Sequence, residues 1–295
     1  MDKRNIIFKI ISGFCLLIFL SYFSFQTGRF SKVHKGFNQL KQEISQLLQG
    51  ESFRYSVVVE DLRFPSLKYS VNSDEKFIAA SLIKLPILAA ALNAVAEEKI
   101  SLKDKIVVKT ADITGGSGKL KTEKLPKELT FRGLLKFMIS ISDNTATNKV
   151  VEFLGFDYLN GYFQGLGLKN TVLKRKMMDF RKRRKGIENY TSSQDIALIL
   201  KEIYNKKLVN KKLSNFALEL LKEQIVNDRL PRYLPEEIEV AHKTGLEKGV
   251  IHDSGIVFTP EGDYIICVLF ANVKDYRKAK KTIAQISLLT YNLYQ

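Results

Sequence analysis

The order of the predicted strands and helices most constrains the fold of this 295-residue chain. Two stretches near one end, 55–60 and 67–71, have the short apolar pattern of strands, with turn residues between them. Three more strands are predicted near the other end, at 238–245, 254–259 and 264–271. The long region between the two groups has helical spacing of its apolar residues. Strands from both ends of a chain can pair into one antiparallel sheet, so this order predicts an α+β fold with a helical insertion.

Several of the predicted helices carry a start signal. Thr130 precedes an apolar run that ends at Ser140, and Ser192 with Asp195 has the spacing of a capping box. Asp275 precedes a final helix. We expect a functional site in the cleft between the sheet and the helical insertion, because concave sites form where such layers meet.

Composition and charge limit the classes of protein to consider. Apolar residues make up 45% of the chain, which is enough for one large domain or two small ones. The formal net charge of +16 favours polyanionic partners such as acidic wall polymers or anionic lipid. The stretch 174–185 holds eight Lys/Arg residues and one acid, and we expect it to be a solvated loop or helix face. Aromatic and basic residues do not alternate there, so no nucleic-acid partner is predicted.

Residues that bind metals or form disulfides are scarce. Cys15 lies in an N-terminal apolar run and Cys267 in a predicted strand, so a disulfide between them is not expected. Two cysteines and three histidines supply a zinc cluster poorly. The sequence therefore predicts neither a metal site nor a bound cofactor.

Residues 1–30 form a segment of their own. Basic residues precede an apolar run over 10–20, a pattern typical of a secretory leader or a signal anchor. No small-residue cleavage triplet follows, so we expect an uncleaved transmembrane anchor. Residues 31–295 would then be a domain outside the cytoplasm, held at the cell membrane. A cleaved leader, and hence a secreted domain, is the alternative.

A serine nucleophile needs a base within hydrogen-bond reach, and the chain offers two Ser-x-x-Lys motifs. Ser73 and Lys76 lie in a polar turn, where both groups would be solvated. Ser81 and Lys84 lie between apolar runs, at the start of a helix predicted to end near residue 98. Pro86 falls early in that helix and removes the bond that its N–H would make to Leu82, which leaves room for a bent first turn. The second motif is the candidate, since no G-x-S-x-G elbow is present.

Two further motifs strengthen this assignment. The tripeptide Ser-Asp-Asn at 142–144 lies in the break between two predicted helices, from which side chains can enter a cleft. Lys-Thr-Gly at 243–245 ends an apolar strand. Each tripeptide alone has an ordinary interpretation, as a helix cap or as a strand exit. The three motifs in this order and context indicate one shared site.

These residues are similar to the signatures of a known family. The phrases AASLIKLPIL, ISDNTATN and AHKTG resemble those of class A β-lactamases and the related D,D-peptidases and penicillin-binding proteins, and the match covers 37–295. The resemblance implies a five-stranded antiparallel sheet with helices on both faces and an all-helical subdomain over about 100–225. It also implies a location at the bacterial cell membrane or outside it.

The resemblance implies a role for four catalytic residues. Ser81 would attack a lactam or peptide carbonyl and form an acyl-enzyme. Lys84 would take the proton of Ser81, as the base or as part of a relay, and Ser142 would pass a proton to the leaving nitrogen. Lys243 would bind the substrate carboxylate, and its positive charge should lower the pKa of Lys84.

The resemblance also implies substrate-binding positions. Asn144 would hold the side-chain amide of the substrate, and Thr244 would bind its carboxylate. Gly245 belongs to the same motif as Thr244. The backbone N–H groups of Ser81 and Leu246 would form the oxyanion hole. The implied substrates are β-lactams or D-Ala-D-Ala-like peptides of peptidoglycan.

The chain departs from class A β-lactamases in the loop after the second motif. Those enzymes carry a glutamate there, which activates water to release the acyl group, and the resemblance places Met177 at that position. Asp179 and Glu188 are the nearest acids, and either would need a reshaped loop to reach Ser81. We therefore expect slow release of the acyl group.

Two alternatives to β-lactam hydrolysis stay open. One is a wall-modifying D,D-peptidase or transferase, which suits both the absent glutamate and the predicted anchor. The other is a non-hydrolytic protein that binds β-lactams or anionic wall polymers, using the basic surface around Arg181 to Lys185.

Overall fold

The computed structural model describes residues 33–295. The predicted anchor over 1–30 lies outside the described residues. Within 33–295, no helix is both long enough and apolar enough to cross a bilayer.

Five antiparallel strands form the main sheet, in the order β2-β1-β9-β8-β7. The nine strands of the described residues are β1 (Arg54–Asp61), β2 (Lys68–Val71), β3 (Phe77–Ile78), β4 (Lys105–Val108), β5 (Lys127–Thr130), β6 (Tyr190–Thr191), β7 (Val240–Glu247), β8 (Val250–Val257) and β9 (Tyr264–Ala271). The first strand pairs with the last, with Val57 opposite Val268. The predicted sheet built from both ends of the chain is confirmed.

The β7–β8 hairpin differs from the sequence prediction by a shift of its turn. Gly245 was expected to end a strand, but β7 continues through it to Glu247. The chain reverses at Lys248 and Gly249 instead, and Gly249 has a φ of 74°, which favours glycine. The hydrogen-bonding edge of β7 therefore extends past the Lys-Thr-Gly motif.

Nine helices accompany the sheet in the described part of the chain. They are α1 (33–48), α2 (Lys84–Ala96), α3 (Phe131–Ser140), α4 (Asn144–Leu154), α5 (Phe156–Gly165), α6 (Phe180–Arg184), α7 (Ser193–Tyr204), α8 (Lys211–Lys222) and α9 (Tyr276–Tyr291). The predicted caps are confirmed, since the Thr130 side chain accepts from Gly133 N at 3.1 Å and Ser192 accepts from Asp195 N at 3.2 Å. Asp195 does not complete a capping box, because its carboxylate accepts from Asn170 N at 2.7 Å instead.

The sheet separates two apolar cores. Alternate residues of β9 enter different cores, because side chains of a strand point to opposite faces. Ile266 and Val268 pack in the core that α1 and α9 cover, whereas Cys267 and Leu269 pack in the core of α2 and the helical middle region. Helix α2 is central in the second core, with ten of its 13 residues buried. A polar group at the start of α2 is therefore held in apolar surroundings.

Candidate active site

The segment that carries Ser81 is short and constrained. Strand β3 leads through Ala79 into a 3-10 turn, Ala80–Ile83, which continues directly as α2. Ala80 has a φ of 45°, a left-handed conformation that costs a non-glycine residue roughly 1–2 kcal/mol. Ser81 is 8% exposed. Pro86 is the third residue of α2, which starts at Lys84. Backbone N–H groups in a first turn have no partner within the helix, so α2 can hold a proline there without a bend.

Lys84 is completely buried and bonded to the Ser-Asp-Asn motif. Its Nζ donates to the Ser142 carbonyl oxygen at 2.7 Å and to Asn144 Oδ1 at 2.8 Å, and it lies 3.1 Å from Ser142 Oγ. Burial, and then the nearby Lys243 amine, hold the pKa of Lys84 well below its usual range, against a smaller opposing effect of Asp143. A neutral amine has two N–H donors and one lone pair, so it can accept a proton from a hydroxyl at this position.

Ser142 lies between two lysines. Its Oγ is 3.1 Å from Lys84 Nζ and 3.1 Å from Lys243 Nζ. Its backbone φ of 55° is left-handed, a conformation that few residues other than glycine adopt. Asp143, the middle residue of the motif, has the ordinary capping role, since its carboxylate accepts from Ala146 N at 2.9 Å. The motif therefore combines one structural residue with two that contact Lys84.

A glycine-rich loop at 115–118 packs against this motif, and sequence reasoning missed it. Gly118 has a φ of 111°, and a Cβ built on it would lie 2.1 Å from Asp143 Oδ2, so only glycine fits. Asn144 Nδ2 donates to the Gly115 carbonyl at 2.9 Å, and Asn144 N donates to the Ser117 carbonyl at 3.1 Å. The density of glycines was the available signal. The loop forms one border of the site.

Lys243 is completely buried on the edge strand β7. Its Nζ donates to the Thr244 carbonyl at 3.0 Å, besides its contact with Ser142. Burial lowers the pKa of Lys243 to about 7, Asp253 opposes this shift, and Arg229 adds to it. An anionic ligand would favour the charged form, so this amine suits a carboxylate.

Folding stability is expected to rise with pH between about 7 and 10.5 through Lys243. In that window the unfolded chain holds a proton on this amine and the folded chain does not, so raising the pH removes a cost of folding. We expect the free energy of unfolding of the Lys243→Met variant to lack this component. Denaturant unfolding at several pH values measures it, with the exposed Lys207→Met as control. Equal pH slopes for Lys243→Met and the wild type would contradict the prediction.

The remaining residues of the third motif lie beside Ser81. Thr244 is 6% exposed, and the Gly245 backbone runs against the segment before Ser81, since an ideal Cβ would lie 3.5 Å from the Ala79 carbonyl oxygen. Leu246 is 53% exposed and lines a cleft with Ser81. The three predicted motifs are thus brought together, and the other Ser-x-x-Lys copy is not part of them.

The cleft has a volume of about 310 Å³. Its lining comprises Ala80, Ser81, Gly116, Ser117, Asn144, Arg175, Met177, Met178, Phe180, Arg183, Leu246, Glu247 and Lys248. Met177, Met178 and Phe180 form an apolar part of its wall. Met177 is fixed in this wall by Asn148, which accepts from Met177 N at 2.8 Å and donates to its carbonyl at 3.1 Å. The position where the resemblance expects a glutamate therefore carries a thioether.

Comparison with known proteins decides the family. A sequence model of the Beta-lactamase enzyme family matches residues 39–294. The chain belongs to that family. Beta-lactamase VEB-1 of Pseudomonas aeruginosa is 26% identical over 273 residues, which span 87% of this chain and 91% of the relative. The predicted kinship with β-lactamases and penicillin-binding proteins is confirmed.

Two further relatives of this β-lactamase-family chain bear on its chemistry. The solved structure of a PBP-A mutant, an acyl-enzyme complex with penicillin-G, superposes with a TM-score of 0.79 at 29% identity, covering 86% of this chain and 96% of that one. D-alanyl-D-alanine carboxypeptidase DacF of Bacillus subtilis (strain 168) is 26% identical over 152 residues, which are 48% of this chain and 37% of the relative. The family's relatives thus include both β-lactamases and a carboxypeptidase.

Asp179 and Glu188, the acids nearest to Met177 in the sequence of this β-lactamase-family chain, bind other groups. The Asp179 carboxylate caps α6 by accepting from Lys182 N at 3.0 Å. Glu188 is buried and accepts from Arg175 Nε at 2.6 Å. Neither residue lines the cleft. Without a reshaped loop, neither carboxylate is available to activate water at Ser81.

Glu247 is the acid that does line the cleft, and sequence reasoning missed it. Its carboxylate accepts from Arg175 Nη2 at 3.0 Å and pairs with Arg183. Arg175 lies in the loop of Met177 and Arg183 in α6, which follows that loop, so Glu247 joins the end of β7 to both. Because two guanidinium groups occupy it, this carboxylate is not a free base.

The expectation of a fully solvated basic stretch at 174–185 is wrong for Arg175. That side chain is buried because Glu188 and Glu247 neutralise it. The expectation holds for Arg181, Arg184 and Lys185, which are exposed. The stretch therefore has an inner residue that holds the loop and an outer basic rim.

Side chains that could bind a metal lie apart in the described part of the chain. Across residues 33–295, no group of three or more His, Cys, Asp and Glu side chains is placed to hold a metal ion. The buried His242 pairs with Asp253 at 2.9 Å, an arrangement of two residues.

Proposed function

We propose that this β-lactamase-family serine hydrolase forms an acyl-enzyme at Ser81 with β-lactams or D-Ala-D-Ala-like peptides. The observation that carries the proposal is the completely buried Lys84 amine, which shares the Ser142 hydroxyl with Lys243 and whose pKa burial holds well below its usual range. A desolvated amine on the helix that follows a serine is the base that a serine without histidine requires. A D,D-peptidase or transferase would differ from a β-lactamase in what happens after acylation, whereas a binding protein would form no acyl-enzyme.

The proposed acylation transfers protons from Ser81 to the leaving nitrogen through Lys84 and Ser142. Ser81 Oγ attacks the carbonyl carbon, and its proton passes to Lys84 Nζ. The tetrahedral oxyanion accepts from the N–H groups of Ser81 and Leu246. As the C–N bond breaks, Ser142 Oγ gives its proton to the leaving nitrogen and regains one from Lys84. Lys84 and Ser142 both end the step in their starting protonation states.

Substrate binding is assigned to the polar groups that surround Ser81, Lys84 and Ser142. Lys243 and the Thr244 hydroxyl would hold the substrate carboxylate, as a charge-assisted pair. Asn144 already uses Oδ1 for Lys84 and one N–H for Gly115, which leaves its second N–H for the side-chain amide of the acyl donor. Gly245 keeps the strand edge open for the donor's backbone.

We further propose that the acyl-enzyme is long-lived, which favours a D,D-peptidase or transferase over an efficient β-lactamase. The support is Met177, whose thioether lines the cleft and cannot accept a proton from water at neutral pH. A transferase needs an acyl-enzyme that survives until an acceptor amine arrives. The carboxypeptidase relative is consistent with this assignment.

Intact mass spectrometry after exposure to penicillin G tests these alternatives. A persistent adduct supports the proposal, and a transient adduct with hydrolysed penicillin indicates a β-lactamase. No adduct at all would exclude acylation and leave a binding protein. A fast steady-state rate on a chromogenic cephalosporin that is lost in Asp179→Asn or Glu188→Gln would refute the slow-release mechanism.

The basic rim, Arg181, Arg184 and Lys185, supports an anionic wall polymer as an additional partner. Across residues 33–295, no carboxylate lies within ion-pair distance of these three exposed side chains. They follow Phe180, which lines the cleft, so a polymer on the rim would lie beside the acylation site. Arginine suits phosphate groups because its planar fork binds them bidentately.

Charge reversal at the basic rim is expected to weaken binding of long-chain polyphosphate at least about tenfold at about 50 mM salt. The variant carries R181E, R184E and K185E. The matched control carries K206E, K207E and K211E, which makes the same charge change on exposed residues between α7 and the first turn of α8. Binding measured by anisotropy in both variants is compared with the wild type. Equal loss in both would show that only net charge matters, and the rim would not be a polymer site.

We also propose that residues 1–30 tether the domain to the cell membrane with the catalytic part outside the cytoplasm. The support is the basic flank and apolar run of that segment. Fractionation of a C-terminally tagged chain tests it, and a shortened product in the soluble fraction would exclude the tether.

A further inference from the structure

His252 is a fully buried residue of β8 whose ring joins separate segments. Phe270 N donates to His252 Nδ1 at 3.2 Å, so Nδ1 is the acceptor nitrogen and the proton is on Nε2. Nε2 then donates to the Ile78 carbonyl at 2.9 Å. Burial lowers the pKa of His252 to about 4, against the opposing effect of the Ile78 and Ile251 backbone, so the ring does not become charged at neutral pH.

Ile78 is the last residue before the constrained nucleophile segment. It ends β3, and only Ala79 and Ala80 separate it from Ser81. Ala80 has a left-handed backbone and begins the 3-10 turn. The backbone between the Ile78 carbonyl and the Ser81 N–H therefore has little conformational freedom. The bond from His252 therefore fixes where the nucleophile segment lies above the sheet.

The same ring also supports β7. His252 is opposite Gly245 in the β7–β8 register. An ideal Cβ on Gly245 would lie 3.1 Å from His252 Cδ2 and 3.5 Å from the Ala79 carbonyl oxygen. The Gly245 backbone thus lies close to both the imidazole and the chain that leads to Ser81. The next residue along β7 is Leu246.

We infer that His252 is a positioning residue that sets the spacing between the Ser81 and Leu246 N–H groups, the two donors of the oxyanion hole. The inference depends on the proposed acylation at Ser81. His252 is not a catalytic residue, because it is 0% exposed and does not line the cleft. Oxyanion donors act only when both lie within about 2.7–3.1 Å of the developing charge. A small shift of one segment therefore weakens both bonds in the transition state.

Two substitutions separate the two bonds of the ring. In His252→Asn the amide oxygen is placed near Nδ1 and retains the bond to Phe270, but the side chain is too short to reach Ile78. In His252→Gln the amide nitrogen is placed near Nε2 and retains the bond to Ile78. We expect the acylation rate constant with penicillin G to fall about 10- to 100-fold in His252→Asn and less than about threefold in His252→Gln.

The dissociation constant of the non-covalent penicillin complex is the second readout. It is expected to be unchanged in His252→Asn, because Lys243 and Thr244 bind the carboxylate independently of the oxyanion hole. Rapid mixing at several penicillin concentrations gives both constants. A purely structural role would not confine the effect to the rate constant.

The outcomes distinguish this inference from the proposed function. Acylation of His252→Asn at the wild-type rate, or equal loss in the Asn and Gln variants, would overturn the role of His252. A wild-type chain that forms no penicillin adduct would overturn the proposed function itself. Ile283→Ala, in the core that α1 and α9 cover, controls for stability, since it should lower the melting temperature without slowing acylation.

Discussion

Ser81→Ala is expected to abolish the covalent adduct with penicillin G. Without the hydroxyl no acyl-enzyme can form, and removal of a serine nucleophile typically costs at least about 10³-fold in rate. Ser81 is 8% exposed at the end of the cleft, so the loss of one oxygen should leave the fold intact. Intact mass spectrometry after prolonged incubation measures the result directly.

The chain supplies its own control for this experiment. Ser73 begins the other Ser-x-x-Lys motif, and its partner Lys76 is exposed. Ser73→Ala should form the adduct at the wild-type rate. An adduct that persists in Ser81→Ala, or disappears in Ser73→Ala, would show that the nucleophile has been assigned to the wrong residue.

Met177→Glu is expected to convert a persistent adduct into a transient one. A carboxylate at this position would enter the cleft that Ser81 lines, because Asn148 holds the residue-177 backbone on both its N–H and its carbonyl. A positioned general base contributes about 10²–10⁴-fold to the removal of a proton from water. We expect the rate of deacylation to rise by a comparable factor, with acylation little changed.

Met177→Gln is the matched control, since it has the size and polarity of the glutamate variant but no basic group. Time-resolved mass spectrometry of the acyl-enzyme follows the lifetime in each variant. Equal lifetimes for the wild type and Met177→Glu would show that something other than a missing base limits release. Equal acceleration by Glu and Gln would point to water access instead.

The sequence predicted most reliably those features that depend on neighbouring residues. Thr130 and Ser192 cap their helices because a hydroxyl followed by free backbone N–H groups is a local arrangement. Ser81 was distinguished from Ser73 by the apolar runs on either side of it. These flanking residues form the central helix α2, and its burial explains why Lys84 is desolvated.

Features that depend on distant parts of the chain escaped prediction. Arg175 can be buried because Glu188 and Glu247 pair with it. These partners lie 13 and 72 residues away in the sequence, so no local pattern predicts either pair. Strands β3 and β6 have two residues each, too few to show a period of two. Their pairing fixes the chain just before Ser81.

The alternation of β9 side chains between two cores affects which substitutions this protein can accept. The sheet acts as a partition, so a substitution under α1 or α9 alters the free energy of unfolding without displacing a wall of the cleft. The left-handed backbone of Ala80 and the burial of Lys84 and Lys243 lower that free energy on the other side of the sheet. Compensating substitutions are therefore expected to accumulate in the core that α1 and α9 cover, where they can restore stability without altering the cleft.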